Sequence, residues 1–418
     1  MDLVPRFRNF QRPWLTRAAL IVIWAVVLVR YALLLPELPN RTTQYDFSLY
    51  YTSALALRTG IDPYFSNLAR IGRPLGYALP DPFLTNYTPY FLIAFEPLAA
   101  FPIRTAYWLW FSASISALVL AVVIIFREYD LAGKPAALTL ALILLFPGVI
   151  AHFRYAQSQF ILLLALVLML HWLRCNRDGV AGVALAAAIM FKVFPIVIIG
   201  YLASRRRWQA IGWTLCTIAI GTILVLPTFG LRDWLQFFKS NGSDPYALSI
   251  DNIAPTAFMS RVYWYVFTFH SNPFTRHLLI AGFDAVVLMI AFFGTVHNEA
   301  LCDLGFSLWV LAMLLVSPLV WLHYLPLSII PAVQIASLLS HGYQVGFAAV
   351  VMLSAYAMIF ILYPSLTTFR DMVSLNYHRN MGSPLCCSYI SRRSFSHRIF
   401  RLNIAFVWIR SNEAVLLK

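Results

Sequence analysis

Polar residues are scarce in this chain, and several stand where they could do chemistry. Asp46 lies in YDFSLYY, with Tyr50 one helical turn on and Tyr51 beside it. Asn86 and Tyr87 lie in NYTPY, Gln157 and Gln159 in AQSQ, and Lys192 in FKVFP. Asp251 and Asn252 lie in SIDN, and His323 in SPLVWLHYLP. A carboxylate can take the proton of an attacking hydroxyl. A lysine or histidine can stabilise an anionic leaving group. The aromatic residues around Asp46 should partly desolvate it and raise its pKa, which suits a base near neutral pH.

Each residue also has a purely structural reading. Asp46 can cap a helix, and Lys192 can snorkel to an interface. His323 can belong to an aromatic belt with Trp321 and Tyr324. Gln157 and Gln159 can bond neighbouring helices, Asn86 can make a turn before Pro89, and Tyr50 and Tyr51 can simply pack. No one of these signals is specific alone.

The elements that must position them follow from composition. Of 418 residues 61% are hydrophobic and only 11% charged, and mean hydropathy is +0.73. Soluble domains are about 45–50% apolar and about 25% charged, so a soluble enzyme, a disordered chain and a disulfide scaffold are excluded. The excess of 31 Lys and Arg over 17 Asp and Glu fits loops facing anionic lipid and gives no reason to expect nucleic acid. The sequence has no Walker-type loop, dinucleotide fingerprint or metal-spaced Cys and His. The five cysteines read as structural or incidental.

Apolar runs long enough to span a bilayer begin near Arg17 to Leu35, read as a retained anchor. They continue near 105–126, 135–150, 157–173, 208–227, 277–296, 301–319, 323–340 and 345–363. The pieces 180–191 and 194–204 flank a break at Lys192 to Pro195 and read as broken or re-entrant helices. Piece 89–102 reads as a helix at or dipping into the interface. The fold expected is all-α: a polytopic helical bundle with about 10–12 membrane segments. Short basic loops at Arg127 to Lys134, Arg174 to Arg177 and Arg205 to Arg207 should be cytoplasmic. That leaves two long outer loops, about 37–104 and 228–276, and gathers the polar residues at one non-cytoplasmic face.

Several motifs occur in an order similar to that of the polyprenol-phosphate-mannose-dependent mannosyltransferases of glycosyltransferase family 87. DFSLYYTSALALRTGIDPY resembles the family's Asp-Phe-x-x-Tyr-Tyr and Gly-x-x-Pro-Tyr loop. NYTPYFLIAFEPLAAFP resembles its Tyr-Pro-Pro stretch, AQSQ its Gly-Gln-x-Asn, FKVFP its Lys-x-x-Pro and SPLVWLH its Ser-Pro-x-x-Trp-x-His. The chain departs in having Thr88 for the first proline of Tyr-Pro-Pro, and Ala156 and Gln159 for Gly and Asn. Residues 377–418 form an atypical basic tail, with seven basic residues and one acid, and read as a non-native end after a membrane domain at 1–376.

The resemblance implies a glycosyltransferase-C-like enzyme of the cell membrane with its active site on the non-cytoplasmic side. It would move a hexose, mannose by analogy, from a polyprenyl-phosphate donor to a glycolipid or polysaccharide acceptor, with inversion. Asp46 would be the base, with Asp62, Asp81 or Asp251 as the alternatives. Lys192 and His323 would hold the donor phosphate, and Tyr50, Tyr51, Asn86, Tyr87, Gln157 and Gln159 would contact sugar or donor. Membrane lipids are the other partners, and no metal or cofactor is expected. The competing class is a transporter or flippase of lipid-linked saccharides, which would also need broken helices and intramembrane cations. A structural scaffold explains the hydropathy but not the ordered motifs.

Overall fold

The computed structural model describes residues 13–41, 45–77, 83–242, 252–266, 273–296 and 302–342. The expected segment 345–363, the tail 377–418, Asp81 and Asp251 lie outside the described residues. Within them every regular element is helical and no strand occurs.

The chain enters through α1 (Pro13–Leu34) and a 3-10 turn, Leu35–Arg41. The first long loop carries α2 (Tyr45–Arg58), α3 (Leu68–Gly72) and α4 (Pro89–Phe95). It has a small core of its own, Leu49, Ala56, Leu68 and Phe83, flanked by Ile71 and Tyr87. Next come α5 (Ile103–Glu128), α6 (Gly133–Leu145) and α7 (Pro147–Tyr155). Helices α6 and α7 bend by 51° at Phe146, where Pro147 cannot donate to the preceding turn. Helices α8 (Gln159–Arg174) and α9 (Asp178–Phe191) follow. A 3-10 turn, Phe194–Ile198, leads into α10 (Ile199–Ser204) and then α11 (Trp208–Val225). The predicted break therefore falls at Lys192, whose backbone is extended at φ −145° and ψ 134°. The second long loop carries α12 (Leu231–Gly242) and α13 (Pro255–Val266). The described chain ends with α14 (Pro273–Val296), α15 (Cys302–Val316), a 3-10 turn at Leu322–Ser328 and α16 (Ile329–Ser340).

Five described helical stretches are long and apolar enough to cross a membrane: Arg17–Leu38, Ile103–Glu128, Trp208–Val225, Phe274–Val296 and Leu322–Ser340. The bent pair α6 and α7 would make a sixth. The sequence predicts more, because hydropathy treats buried helices and lipid-facing ones alike. Helix α8 shows why. It has 16 residues, packs between α5 and α9 and buries Phe160, Leu163, Leu166, Val167 and Leu170. Its apolar surface meets protein. By contrast α1, α11 and α14 leave Leu33, Leu224 and Ile290 more than half exposed, as lipid-facing helices do.

Polar ties hold the helix ends on the side that the basic loops mark as cytoplasmic. The Glu128 carboxylate at the end of α5 accepts from Arg174 at 2.8 Å and pairs with His171 Nδ1 at 2.6 Å, both on α8. Arg207 reaches Asp178 at 3.1 Å, joining the start of α11 to the start of α9. Further along the α9–α11 contact a glycine sets the spacing. A Cβ on Gly182 would stand 2.3 Å from the Ala210 carbonyl oxygen. That oxygen is backbone, so the helices themselves would have to separate.

Gly212, on α11, has nothing within 4 Å of the same position. Opposite signs are therefore expected for two chemically identical changes. Gly182→Ala should lower the thermal midpoint in detergent. Gly212→Ala should leave it unchanged or raise it slightly, because alanine favours a helix over glycine by up to about 1 kcal/mol. Equal effects would show that α9 and α11 are not in close contact at Gly182.

Candidate functional site

Helix α2 starts at Tyr45, so Asp46 lies inside the first turn and does not stand ahead of the helix as a cap. Its charge there suits the N-terminal end of the helix dipole. Tyr50 is one turn on, on the same face. It is fully buried and donates from its hydroxyl to Gln157 Oε1 at 2.7 Å. The rings of Tyr87, Phe91, Phe95 and Trp110 surround it edge-on at 4.6–5.9 Å. Such rings hold the phenol rigidly. Asp46 lies close enough to the same Gln157 side chain for it to pull the carboxyl's pKa down. Burial raises the Asp46 pKa to about 6, with the Gln157 side chain and the Lys192 charge pulling partly the other way. Burial likewise pushes Tyr50 well above the usual range, helped by the Asp46 charge.

Gln157 owes its position to a turn. Ala156 ends α7 in the left-handed region, at φ 49° and ψ 47°. Glycine occupies that region without strain and alanine does not, and the resembled pattern has Gly at this place. The Ala156 carbonyl accepts from Trp110 Nε1 at 2.7 Å. Gln159 opens α8 and is fully buried, with neither amide end hydrogen-bonded among the described residues. It is near Gln157 in sequence, but no contact ties it to the Asp46 cluster.

Lys192 caps the C-terminus of α9. Its ammonium stands 4.1 Å above the ring of Tyr324, a cation–π arrangement, and Tyr324 stacks on Phe194 at 5.4 Å. Thr88, which replaces a proline of the resembled pattern, has two roles. It caps α4 by accepting from the Phe91 N–H at 3.1 Å and donates to the Met190 carbonyl at 2.6 Å. That second bond ties the Tyr87 loop to the turn just before Lys192. The Tyr87 carbonyl in turn accepts from Tyr64 at 2.6 Å.

His323 is the second residue of the 3-10 turn that follows the non-helical stretch 317–321. It is buried, its ring lies 5.8 Å from Tyr155, and it is within electrostatic reach of Lys192 and His152. Asn252 fixes this stretch to the second long loop. It donates to the Pro318 carbonyl at 2.8 Å and accepts from Val320 N–H at 3.0 Å and Ala254 N–H at 3.1 Å. Ile253 N–H reaches the Val320 carbonyl at 2.8 Å. Gly148 seats the same segment from the other side, since a Cβ there would stand 2.9 Å from the Leu322 carbonyl oxygen.

The structure thus gathers Asp46, Tyr50, Tyr87, Gln157, Lys192 and His323. Asp46 and Lys192 are partly buried, and Tyr50, Gln157 and Ser158 beside them are fully buried. Tyr51 turns away and donates to the Phe101 carbonyl at 2.8 Å. Asn86 is half-buried beside Tyr87. Asp62 is exposed and accepts from the Tyr64 N–H at 2.8 Å, which makes it a turn residue. His152 is an addition. It is buried on α7, bonds Ser114 Oγ through Nε2 at 2.9 Å, and lies within reach of the Lys192 charge. The signal was present: a lone histidine in an apolar run deserves the same weight as a lone lysine. Tyr324 is a second addition, hidden because it resembles any interfacial tyrosine.

The glycosyltransferase family 87 model matches residues 83–318, over half of the chain. No curated protein and no solved structure matches. The matched range includes Asn86, Tyr87, Gln157, Gln159 and Lys192; Asp46 and His323 lie outside it.

Asn252 gives the site a test independent of chemistry. Asn252→Ala leaves two buried N–H groups and one carbonyl without their partner, at about 1–3 kcal/mol for each unsatisfied group. It should lower the thermal midpoint clearly. Asn252→Asp should lower it as well, because a carboxylate cannot donate to the Pro318 carbonyl and would be buried beside it. An unchanged midpoint in Asn252→Ala would show that these bonds do not hold the segment.

Proposed function

The chain belongs to glycosyltransferase family 87, and from that premise we propose that it transfers a hexose, mannose by analogy, from a polyprenyl-phosphate donor to a glycolipid or glycan acceptor at the non-cytoplasmic face of the cell membrane. The observation that carries this reading is that Asp46 and Lys192 lie within electrostatic reach of one another, beside the Tyr50–Gln157 hydrogen bond and the Tyr324 ring.

The acceptor hydroxyl attacks the anomeric carbon as its proton passes to Asp46, and the bond from that carbon to the phosphate oxygen breaks. The electron pair leaves with the polyprenyl phosphate. Lys192 and His323 are placed to offset the growing charge, where preorganised donors in a water-poor site are worth most. A phosphate leaving group needs no proton, so one base suffices. A single displacement inverts the centre, by analogy with the carboxylate roles in glycoside chemistry. A β-linked mannosyl phosphate would yield an α-mannoside. Tyr50 and Gln157 keep Asp46 in place, with Tyr87 beside them and within reach of a sugar. Gln159 and Asn86 remain candidate contacts with the donor, and Tyr51 packs.

Asp46→Asn should lower turnover by roughly 10²–10⁴, the contribution of a positioned base, with normal yield. The assay is transfer of radiolabel from polyprenyl-phosphate mannose in membranes. Movement of the labelled lipid across the bilayer without transfer would overturn the reading, as would more than half of the wild-type rate in Asp46→Asn. The wild-type rate should rise with pH through about 6, where Asp46 loses its proton, and Asp46→Asn should lose that limb.

The orientation rests on Arg127, Arg174, Arg177 and Arg205 to Arg207. In a cysteine-free background, Arg206→Cys should react only with reagent on the cytoplasmic side and Asp62→Cys only on the opposite side. The reverse pattern would put the site on the wrong face for this reaction.

A further inference from the structure

Two arginines outside the site, Arg30 and Arg154, stand close together without a counter-charge among the described residues. Arg30 lies on α1, one turn before its C-terminal end at Leu34, and Arg154 lies on α7, one residue before its end. The pair is held together by the residues beside it. Tyr31 donates to the Leu144 carbonyl at 3.0 Å, and its ring meets Phe153 edge-on at 5.5 Å. Both arginines are exposed. Their guanidinium groups are close enough to repel one another, and neither has a hydrogen bond or ion pair among the described residues.

The surface around them faces lipid, since Val26, Val29 and Leu33 on the same helix are 50–70% exposed. A lone charge at such a surface is costly, and two like charges more so. A chain can keep such a pair where a phosphate occupies the space between them. A guanidinium fork matches phosphate geometry and gives short, charge-assisted hydrogen bonds. Arg30 stands eight residues before the end of the apolar stretch Arg17–Leu38, from where its long side chain can snorkel toward the lipid phosphates.

We propose that Arg30 and Arg154 form a clamp for the phosphate of a membrane lipid at the edge of the bundle. The proposal rests on the reaction above only for which lipid that is: the polyprenyl phosphate, bound on its way into or out of the site. The short helix α7 supplies the connection. Arg154 faces outward while His152, two residues before it, faces Lys192, and Tyr155, one after it, touches His323. A lipid phosphate released by the clamp would therefore have one helix to pass.

Binding can be measured without transfer. The purified full chain is incubated with polyprenyl phosphate, phosphatidylglycerol or inorganic phosphate, and bound lipid is counted by native mass spectrometry. Wild type should retain polyprenyl phosphate, and Arg30→Gln/Arg154→Gln should retain roughly tenfold less, for the loss of two charge-assisted contacts. A parallel loss of phosphatidylglycerol would support the clamp as a site for phosphate whatever the tail. Equal retention by both proteins overturns it, and so does capture of inorganic phosphate with neither lipid. The two single Gln variants serve if the double variant does not fold. In the transfer assay, the KM for donor should rise more than kcat falls. If no transfer occurs at all, the binding measurement still decides the clamp, so the two readings fail separately.

Discussion

Inside an apolar bundle an ammonium group and a carboxylate each carry a large desolvation penalty, and only nearby opposite charge, hydrogen bonds or a polar opening offset it. Asp46 and Lys192 meet that constraint together. Neither sits in the middle of a helix: Asp46 is in the first turn of α2 and Lys192 is the extended residue that caps the C-terminus of α9. At those places the dipole of each helix favours the charge it has. The break after Phe191 is the structural consequence. A continuous helix from Asp178 to Ser204 would bury Lys192 against neighbours, while the extended residue lets its side chain reach over Tyr324 toward Asp46.

Separate stretches of the chain build the site, and three side chains tie them together. Thr88 binds the first long loop to α9. Gln157 binds α2 to the turn between α7 and α8. Asn252 binds the second long loop to the segment before His323. Thr88 and Asn252 use a side chain to satisfy backbone groups that regular helices would satisfy internally, as backbone without a ladder must when it is buried, and Gln157 pairs with the Tyr50 hydroxyl. The two long loops are therefore part of the bundle's polar closure.

The sequence made the scarce polar residues legible because the surrounding composition leaves them no ordinary role. Asp46, Tyr50, Tyr87, Gln157, Lys192 and His323 could be listed from that argument, and the break at Lys192 read from two short apolar runs. The number of spans was less legible. Hydropathy counts apolar residues and cannot tell whether lipid or protein covers them, so the short helices α8 and α15, of 16 and 15 residues, look the same in sequence as the long lipid-facing ones. Thr88 and Asn252 were hidden for a related reason. Their work is done by hydrogen bonds to backbone about 100 and 66 residues away, and no local pattern encodes such a partner. Tyr50 and Tyr51 were indistinguishable in sequence. On a helix they point about 100° apart, and only packing against Gln157 or Phe101 separates them.

A lipid-linked substrate adds one more demand, that the charged part of the substrate pass between bilayer and site. Helix α7 is placed for this by the bend at Phe146. The bend turns its nine residues away from the α6 axis, so that one short helix has a face toward α1 and another toward the segment of His323. A straight continuation of α6 would have to choose between those contacts. The same proline that breaks the helix therefore puts His152 inside and Arg154 outside. The strained Ala156 that closes α7 stops the helix soon enough for Gln157 to reach Tyr50. A two-residue geometry, Pro147 at one end and a left-handed residue at the other, thus sets both the inner wall of the site and its outer edge.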